Sequence, residues 1–286
     1  ILALFLIVIV IILNFSSVGK TISKASSDKS VNYSNAVSES RKIININKDW
    51  NFDSCDESDD GWDFPTGAKS GKIDLPHTWE YTHPTKSYIA NMNKKTVEYT
   101  KSLDDSSYRN KNCFIKFNGV SRNADVYIDG EKVGTHIGGY TAFVFDITDY
   151  VKGKQNVQLK VKVKNIDTDT IPINVDYTQW AGIYRDVEII LYNDQYISLE
   201  DNGSSGIFIN SNQVASNAAV STKSEFSNKA DKDTDVTLNA VIKNAEGEVV
   251  ASKNENVKVT AATTSQAVTL SQEIKNVTLW SRNANG

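Results

Sequence analysis

Proline, methionine, cysteine and histidine are all scarce: four, one, two and three among 286 residues. Two cysteines, Cys55 and Cys113, cannot build a disulfide framework, and their spacing matches no zinc motif. In an exported chain the two can pair only if their Cα atoms come close; the alternative is two free, half-buried thiols. His77, His83 and His136 are scattered and lack cysteine or acidic neighbours at ligand spacing, which argues against a zinc site. Neither sign of charge dominates. The 31 basic and 35 acidic residues leave a formal net charge of −4, without the clustered Lys and Arg that phosphate binding requires, so no nucleic-acid partner is expected. Helical periodicity is missing after residue 25, as are internal repeats and coiled-coil heptads.

What is present is ordinary in bulk and specific in arrangement. A hydrophobic fraction of 40% and a charged fraction of 23% suit a globular chain, with room for about two domains of roughly 100–200 residues each. Abundant Asn, Lys, Thr, Ser and Val favour strands and polar turns. Ile1 to Leu13 is apolar without a break: too short to span a bilayer, and the right length for the apolar region of a signal peptide. Small residues Ser23 and Ala25 mark a cleavage point after Ala25; the alternative is an uncleaved membrane anchor. Either way residues 1–25 predict a secreted or membrane-anchored extracellular protein. Residues 26–42, rich in Ser, Asn and Lys, predict a flexible linker.

From Ile43 onward short strands take over. Gln155 to Asn165 alternates, with Val157, Leu159, Val161 and Val163 on one face and Gln158, Lys160, Lys162 and Lys164 on the other. That period predicts a half-buried antiparallel strand with one wet face. Asp129-Gly130, between Val126–Ile128 and Lys132–Gly134, predicts a two-residue hairpin turn. Thr141–Ile147 and Val187–Leu191 supply further strands. A second unit begins near Asp194, with strands expected over Ile207–Asn210, Ala218–Ser227, Val236–Lys243, Val249–Asn254 and Val257–Thr260, and a hairpin loop at Asn244–Gly247. Roughly 85 residues of such strands suit an immunoglobulin-like sandwich. The fold class is all-β.

Five motifs stand in order within residues 114 to 191: Phe117-Asn118-Gly119-Val120, Ala124 to Gly130, Gly134 to Phe143, Asp146-Ile147-Thr148 and Gly182-Ile183-Tyr184-Arg185-Asp186-Val187. With the upstream Leu75-Pro76-His77-Thr78-Trp79 they resemble the N-terminal sugar-binding domain of family 2 glycoside hydrolases, the β-galactosidase and β-glucuronidase group. The resemblance implies a jelly-roll sandwich over residues 43–193, followed by an immunoglobulin-like β-sandwich over 194–281. Residues 282–286 would then start the linker to a catalytic TIM barrel, which is absent from this chain and expected beyond Gly286. Asn276 to Ser281 resembles the segment that leads into that barrel. The implied reaction is retaining hydrolysis of a β-galactoside or related glycan, and the implied partners are that glycan, the chain's own C-terminal barrel and a homo-oligomer.

By the same resemblance Asp186 holds the sugar, sometimes with a sodium ion; magnesium is the other cation the family suggests. An ionised carboxylate accepts hydrogen bonds from hydroxyls and ligates hard cations. Its plainer role is to pair with Arg185 or cap a turn. Trp180 is a candidate for stacking on a sugar ring or for interdomain packing. Arg185 and His77 are expected to be structural, Arg185 by bidentate hydrogen bonding at the domain junction. Tyr99-Thr100 departs from a frequent Tyr-Arg, and Ala181 from a frequent Gly or Ser. Asn91 and Asn93 lie near the place of an asparagine that contacts sugar in some β-galactosidases, but neither falls at the position.

Other chemistry finds no support. Catalytic carboxyl pairs in retaining glycosidases sit about 5–5.5 Å apart, whereas the neighbours Asp59-Asp60 and Asp104-Asp105 point to opposite sides of an extended chain. Gly138-Gly139-Tyr140 lacks the helix and lysine of a phosphate loop, and Gly203-Ser204-Ser205-Gly206 lacks the strand-to-helix elbow of a serine nucleophile. The rival readings are a free carbohydrate-binding module and a cell-surface adhesion protein.

Overall fold

A computed structural model describes residues 8–15, 41–54, 70–79, 96–104, 106–164, 180–199, 203–214 and 216–277. Cys55, His83, Asn91, Asn93, Asp59, Asp60 and Asp105 lie outside the described residues, as does the segment from Thr278 to Ser281. The chain divides into two compact units, Lys42–Tyr192 and a second made of Ile1–Arg41 with Asn193–Gly286.

The first unit is a β-sandwich. After β1 (Val8–Phe15), which belongs to the second unit, the strands are β2 (Arg41–Asn45), β3 (Trp50–Asp53), β4 (Gly71–Ile73), β5 (Thr96–Leu103), β6 (Asn112–Phe117), β7 (Asn123–Ile128), β8 (Glu131–Ile137), β9 (Phe143–Asp146), β10 (Val157–Lys164) and β11 (Val187–Tyr192). One sheet runs β4-β3-β5-β10-β7-β8 and the other β2-β11-β6-β9. The alternation of β10 decides which side is core: Val157, Leu159, Val161 and Val163 are buried. Each such side chain contributes about 1.5–3 kcal/mol when fully buried. The opposite face carries Lys160, Lys162 and Lys164, which reach Glu98 at 3.6 and 4.0 Å and Asp125 at 3.4 Å. These half-exposed pairs add at most about 1 kcal/mol apiece. Trp50, Phe52, Tyr99, Ile115, Phe117 and Ile189 complete the filling between the sheets.

Two motifs explain themselves locally. Asp129 and Gly130 have φ of 49° and 82°, the left-handed pair that closes a two-residue hairpin, and Ile128 faces Glu131 across it. Asp129 Oδ1 also accepts the Gln158 N–H at 2.8 Å, tying the turn to β10. The Asp146-Ile147-Thr148 motif starts a single helical turn, α1 (Thr148–Val151). Asp146 Oδ1 accepts the Thr148 N–H at 2.9 Å, and Thr148 Oγ1 accepts the Cys113 N–H at 3.0 Å. Cys113 is a free, buried thiol whose pKa burial pushes up to about 12.

The second unit is a smaller sandwich of β12 (Gln195–Ile197), β13 (Ile207–Val214), β14 (Asn217–Asn228), β15 (Thr234–Lys243), β16 (Val249–Val259) and β17 (Thr263–Ile274). Its core holds Phe226, Val236, Leu238, Ala240, Val257, Val259 and Leu270. Three features differ from the sequence expectation. The two strands expected over Val249–Asn254 and Val257–Thr260 are one strand, β16. The strand β17 was not expected, because Thr, Ser, Gln and Glu fill most of it and among its residues only Leu270 is buried. Lastly, Val8–Phe15, which overlaps the apolar run Ile1–Leu13, is a strand paired antiparallel with β15; a run of β-branched Val and Ile has high strand propensity. Among the described residues no helix is long and apolar enough to cross a membrane.

Leu159→Ala is expected to cost about 2–5 kcal/mol, and Lys162→Ala less than about 0.5 kcal/mol. Urea unfolding of the two variants checks this ranking; equal losses would contradict the assignment of the β10 faces.

Candidate functional site

Motifs far apart in sequence meet at one end of the first sandwich, in the loops after β2, β4, β6 and β8 and the segment before β11. Main-chain bonds lace them together. The His77 N–H reaches the Ile183 carbonyl at 2.8 Å and the Trp79 N–H the Ala181 carbonyl at 3.2 Å. Ser121 and Gly182 exchange both bonds, at 2.9 and 3.0 Å, and the Asn118 N–H reaches the Asp186 carbonyl at 3.0 Å. Gly182 is required here on two counts. Its φ is +115°, and a Cβ would lie 2.6 Å from the Tyr99 hydroxyl and 2.8 Å from the His77 carbonyl oxygen.

Beneath the glycine lies a buried polar chain. The Tyr99 oxygen accepts the Ile183 N–H and sits 2.9 Å from His77 Nδ1. The phenol and the imidazole satisfy one another across this contact, one donating and the other accepting. Burial supports the neutral ring, since desolvation holds the His77 pKa below its ordinary 6.5. Phe52 packs on the same imidazole at 4.7 Å between ring centres. His136 is likewise held low by burial; it stacks on Phe143 at 4.1 Å.

Asp186 is exposed, and its Oδ1 accepts from Asn47 Nδ2 at 2.7 Å. Among the described residues no ion pair joins it to Arg185. Arg185 instead turns to Asn118 and Tyr140, whose carbonyls it reaches through a single nitrogen, Nη1, at 3.3 and 3.4 Å. Its guanidinium lies 5.3 Å from the centre of the Tyr184 ring, a cation–π contact. Among the described residues the Arg185 bonds are thus to main chain and do not form the bidentate fork expected. Trp180 is 42% exposed and stacks on Tyr184 at 6.3 Å with 15° between planes. The Tyr184 hydroxyl donates to the Gly139 carbonyl, so the glycine-rich loop after β8 anchors this aromatic pair. Asn47 escaped the sequence reading, although an asparagine three residues ahead of the buried Trp50 offers both a donor and an acceptor at a strand entrance.

The cation suggested by the resemblance finds one donor here. Asp186 supplies a carboxylate oxygen, and no group of three or more His, Cys, Asp or Glu exists among the described residues. Among the described residues the side chains do not make a cation site by themselves.

A family model described as glycosyl hydrolases family 2, sugar binding domain, matches residues 29–193, more than half of the chain. The chain belongs to glycosyl hydrolase family 2. A β-glucuronidase of Bacteroides fragilis is 32% identical over 193 residues, covering 66% of this chain and 26% of that protein. A β-galactosidase of Thermoanaerobacter pseudethanolicus is 34% identical over 163 residues, 55% of this chain and 22% of its own. Among solved structures, a Bacteroides uniformis β-glucuronidase superimposes with a TM-score of 0.72 at 29% identity, covering 84% of this chain and 28% of that one. The chain thus spans about a quarter of the length of these family 2 relatives.

Two outcomes follow from the polar chain and the glycine. Gly182→Ala is expected to destabilise the chain by about 2–4 kcal/mol, from strain at positive φ and a clash with main chain; a shift in the urea midpoint reads it. A lowered His77 pKa means that the unfolded chain takes up its proton first as pH falls. Stability from this group is therefore complete above 6.5 and declines below it. His136 acts in the same direction. His77→Asn keeps an acceptor for Tyr99 and removes the titration, so its melting temperature should fall less between pH 7 and pH 5 than that of the wild type. Parallel curves would contradict the burial of a neutral His77.

Proposed function

We propose that this chain is the N-terminal part of an exported, retaining β-glycosidase, and that its first sandwich presents Asp186 to the sugar. The observation that carries this reading is the Asp186 carboxylate itself: exposed and held through one oxygen by Asn47. Its second oxygen accepts no hydrogen bond among the described residues. Such an oxygen is suited to a sugar hydroxyl, which donates strongly to an anion. Retaining hydrolysis needs two carboxyl groups about 5–5.5 Å apart, one to protonate the leaving oxygen and one to attack the anomeric carbon. Among the described residues Asp186 has no second carboxyl group set beside it, so it binds, and the acid and nucleophile belong to the C-terminal barrel of the whole protein. The chain by itself is then inactive. The unbroken apolar run Ile1–Leu13 supports export or anchoring.

The substrate we assign is a β-galactoside. A β-glucuronide is the second reading, favoured by the likeness to the Bacteroides β-glucuronidases. The two sugars share the 2- and 3-hydroxyls and differ in the configuration at C4 and in the group at C6, and a carboxylate that binds the shared hydroxyls serves either.

The test is made on the full-length protein with nitrophenyl β-galactoside and nitrophenyl β-glucuronide. Hydrolysis of the first is expected to dominate, and Asp186→Ala should lower its kcat/KM at least about tenfold, or about 1.4 kcal/mol of transition-state stabilisation. Dominant glucuronide hydrolysis would establish the second reading. Unchanged kinetics in a folded Asp186→Ala protein would remove Asp186 from the sugar site, and sugar affinity without any hydrolysis would point to a binding module.

A further inference from the structure

Asn47 is only 9% exposed, yet it is polar and lies on no strand. Its polar groups are all engaged. The side-chain Nδ2 donates to Asp186 Oδ1 at 2.7 Å, and Oδ1 accepts the Val187 N–H at 2.9 Å. The main-chain N–H donates to Asn45 Oδ1 at 3.0 Å, and the carbonyl accepts the Leu75 N–H at 2.8 Å. This set fixes which way the amide points. Reversed, it would set an oxygen against the carboxylate and an NH2 against the Val187 N–H.

We propose that Asn47 is the positioning residue of the Asp186 carboxylate, locking Oδ1 so that Oδ2 faces the sugar. The inference rests on the reading of Asp186 as the sugar-holding group. Its physical logic is that Asn47 grips two consecutive residues, the Asp186 side chain and the Val187 main chain. The carboxylate is thereby referenced to the first residue of β11, a strand of the sandwich. The donor is also neutral. A lysine at this place would compete with sugar hydroxyls for the carboxylate charge, whereas an amide orients the anion and leaves it an anion. Because Asn47 is itself bonded to Asn45 and Leu75, the loops after β2 and β4 transmit their geometry to the site through one side chain.

The test uses the full-length enzyme and six variants. Asn47→Asp keeps an oxygen for the Val187 N–H and sets a second anion against Asp186, so kcat/KM should fall at least about tenfold. Adding Asp186→Asn exchanges the two groups: the new amide donates to residue 47 and turns its oxygen to the ligand. The double variant should therefore exceed Asp186→Asn alone in kcat/KM by about threefold or more, an inversion that a purely structural Asn47 does not produce. Where Asn47→Asp fails to fold, Asn47→Ser takes its place: it should lower kcat/KM about threefold or more in the wild type and have no further effect in the Asp186→Ala background. Equal effects of Asn47→Ser in both backgrounds, or a double exchange no better than Asp186→Asn, would overturn the positioning role. A harmless Asp186→Ala would instead remove the underlying reading, so the two failures are told apart.

Discussion

At Gly182 four pieces of chain approach too closely for a side chain. The glycine exchanges both main-chain bonds with Ser121 and lies against the Tyr99 hydroxyl and the His77 carbonyl. The segment running from it to Asp186 is thereby pinned at its start, while β11 pins its end. Everything the site presents depends on this confinement. The Tyr184 ring is anchored to Gly139, Arg185 is turned to the Asn118 and Tyr140 carbonyls, and Asp186 is left to Asn47. A buried polar chain supports the glycine from below. Tyr99 inside β5 and His77 in the loop after β4 satisfy one another, which removes the penalty of about 1–3 kcal/mol that an unpaired buried group would carry.

The arrangement separates stiffness from charge. The stiff parts are neutral: glycine, tyrosine, an imidazole kept uncharged by burial, and main-chain bonds. The charged groups, Arg185 and Asp186, stand at the exposed rim and do not cancel one another. Arg185 is occupied by carbonyls and an aromatic face, so the carboxylate next to it in sequence keeps its charge for a ligand. In a site meant to grip sugar hydroxyls this matters, because a carboxylate committed to an adjacent guanidinium has fewer acceptor positions left.

Much of the fold was legible in sequence where one periodicity governed. The Val-Lys alternation of β10 names its buried face residue by residue, and Asp129-Gly130 names its turn because few other pairs tolerate two positive φ angles. The all-β class and the family follow from such local signals placed in order. Strand β17 was not legible, since it is held by pairing with β14 while presenting mostly polar side chains. The site was legible in part. Asp186, Arg185 and His77 were each marked by motif and Trp180 by its place just ahead of one, but their partners were not. Asn47 lies 139 residues from Asp186, and the partners of Arg185 are main-chain carbonyls, which no residue type announces. Long-range pairing of this kind exists only once β2, β11 and β6 have come together as neighbours in one sheet.

The most direct test is a crystal structure of the full-length protein with a β-galactoside bound. The account predicts Asp186 Oδ2 within hydrogen-bond distance of a sugar hydroxyl while Asn47 Nδ2 remains on Oδ1. A sugar bound elsewhere, with Asp186 facing no part of it, would contradict the account.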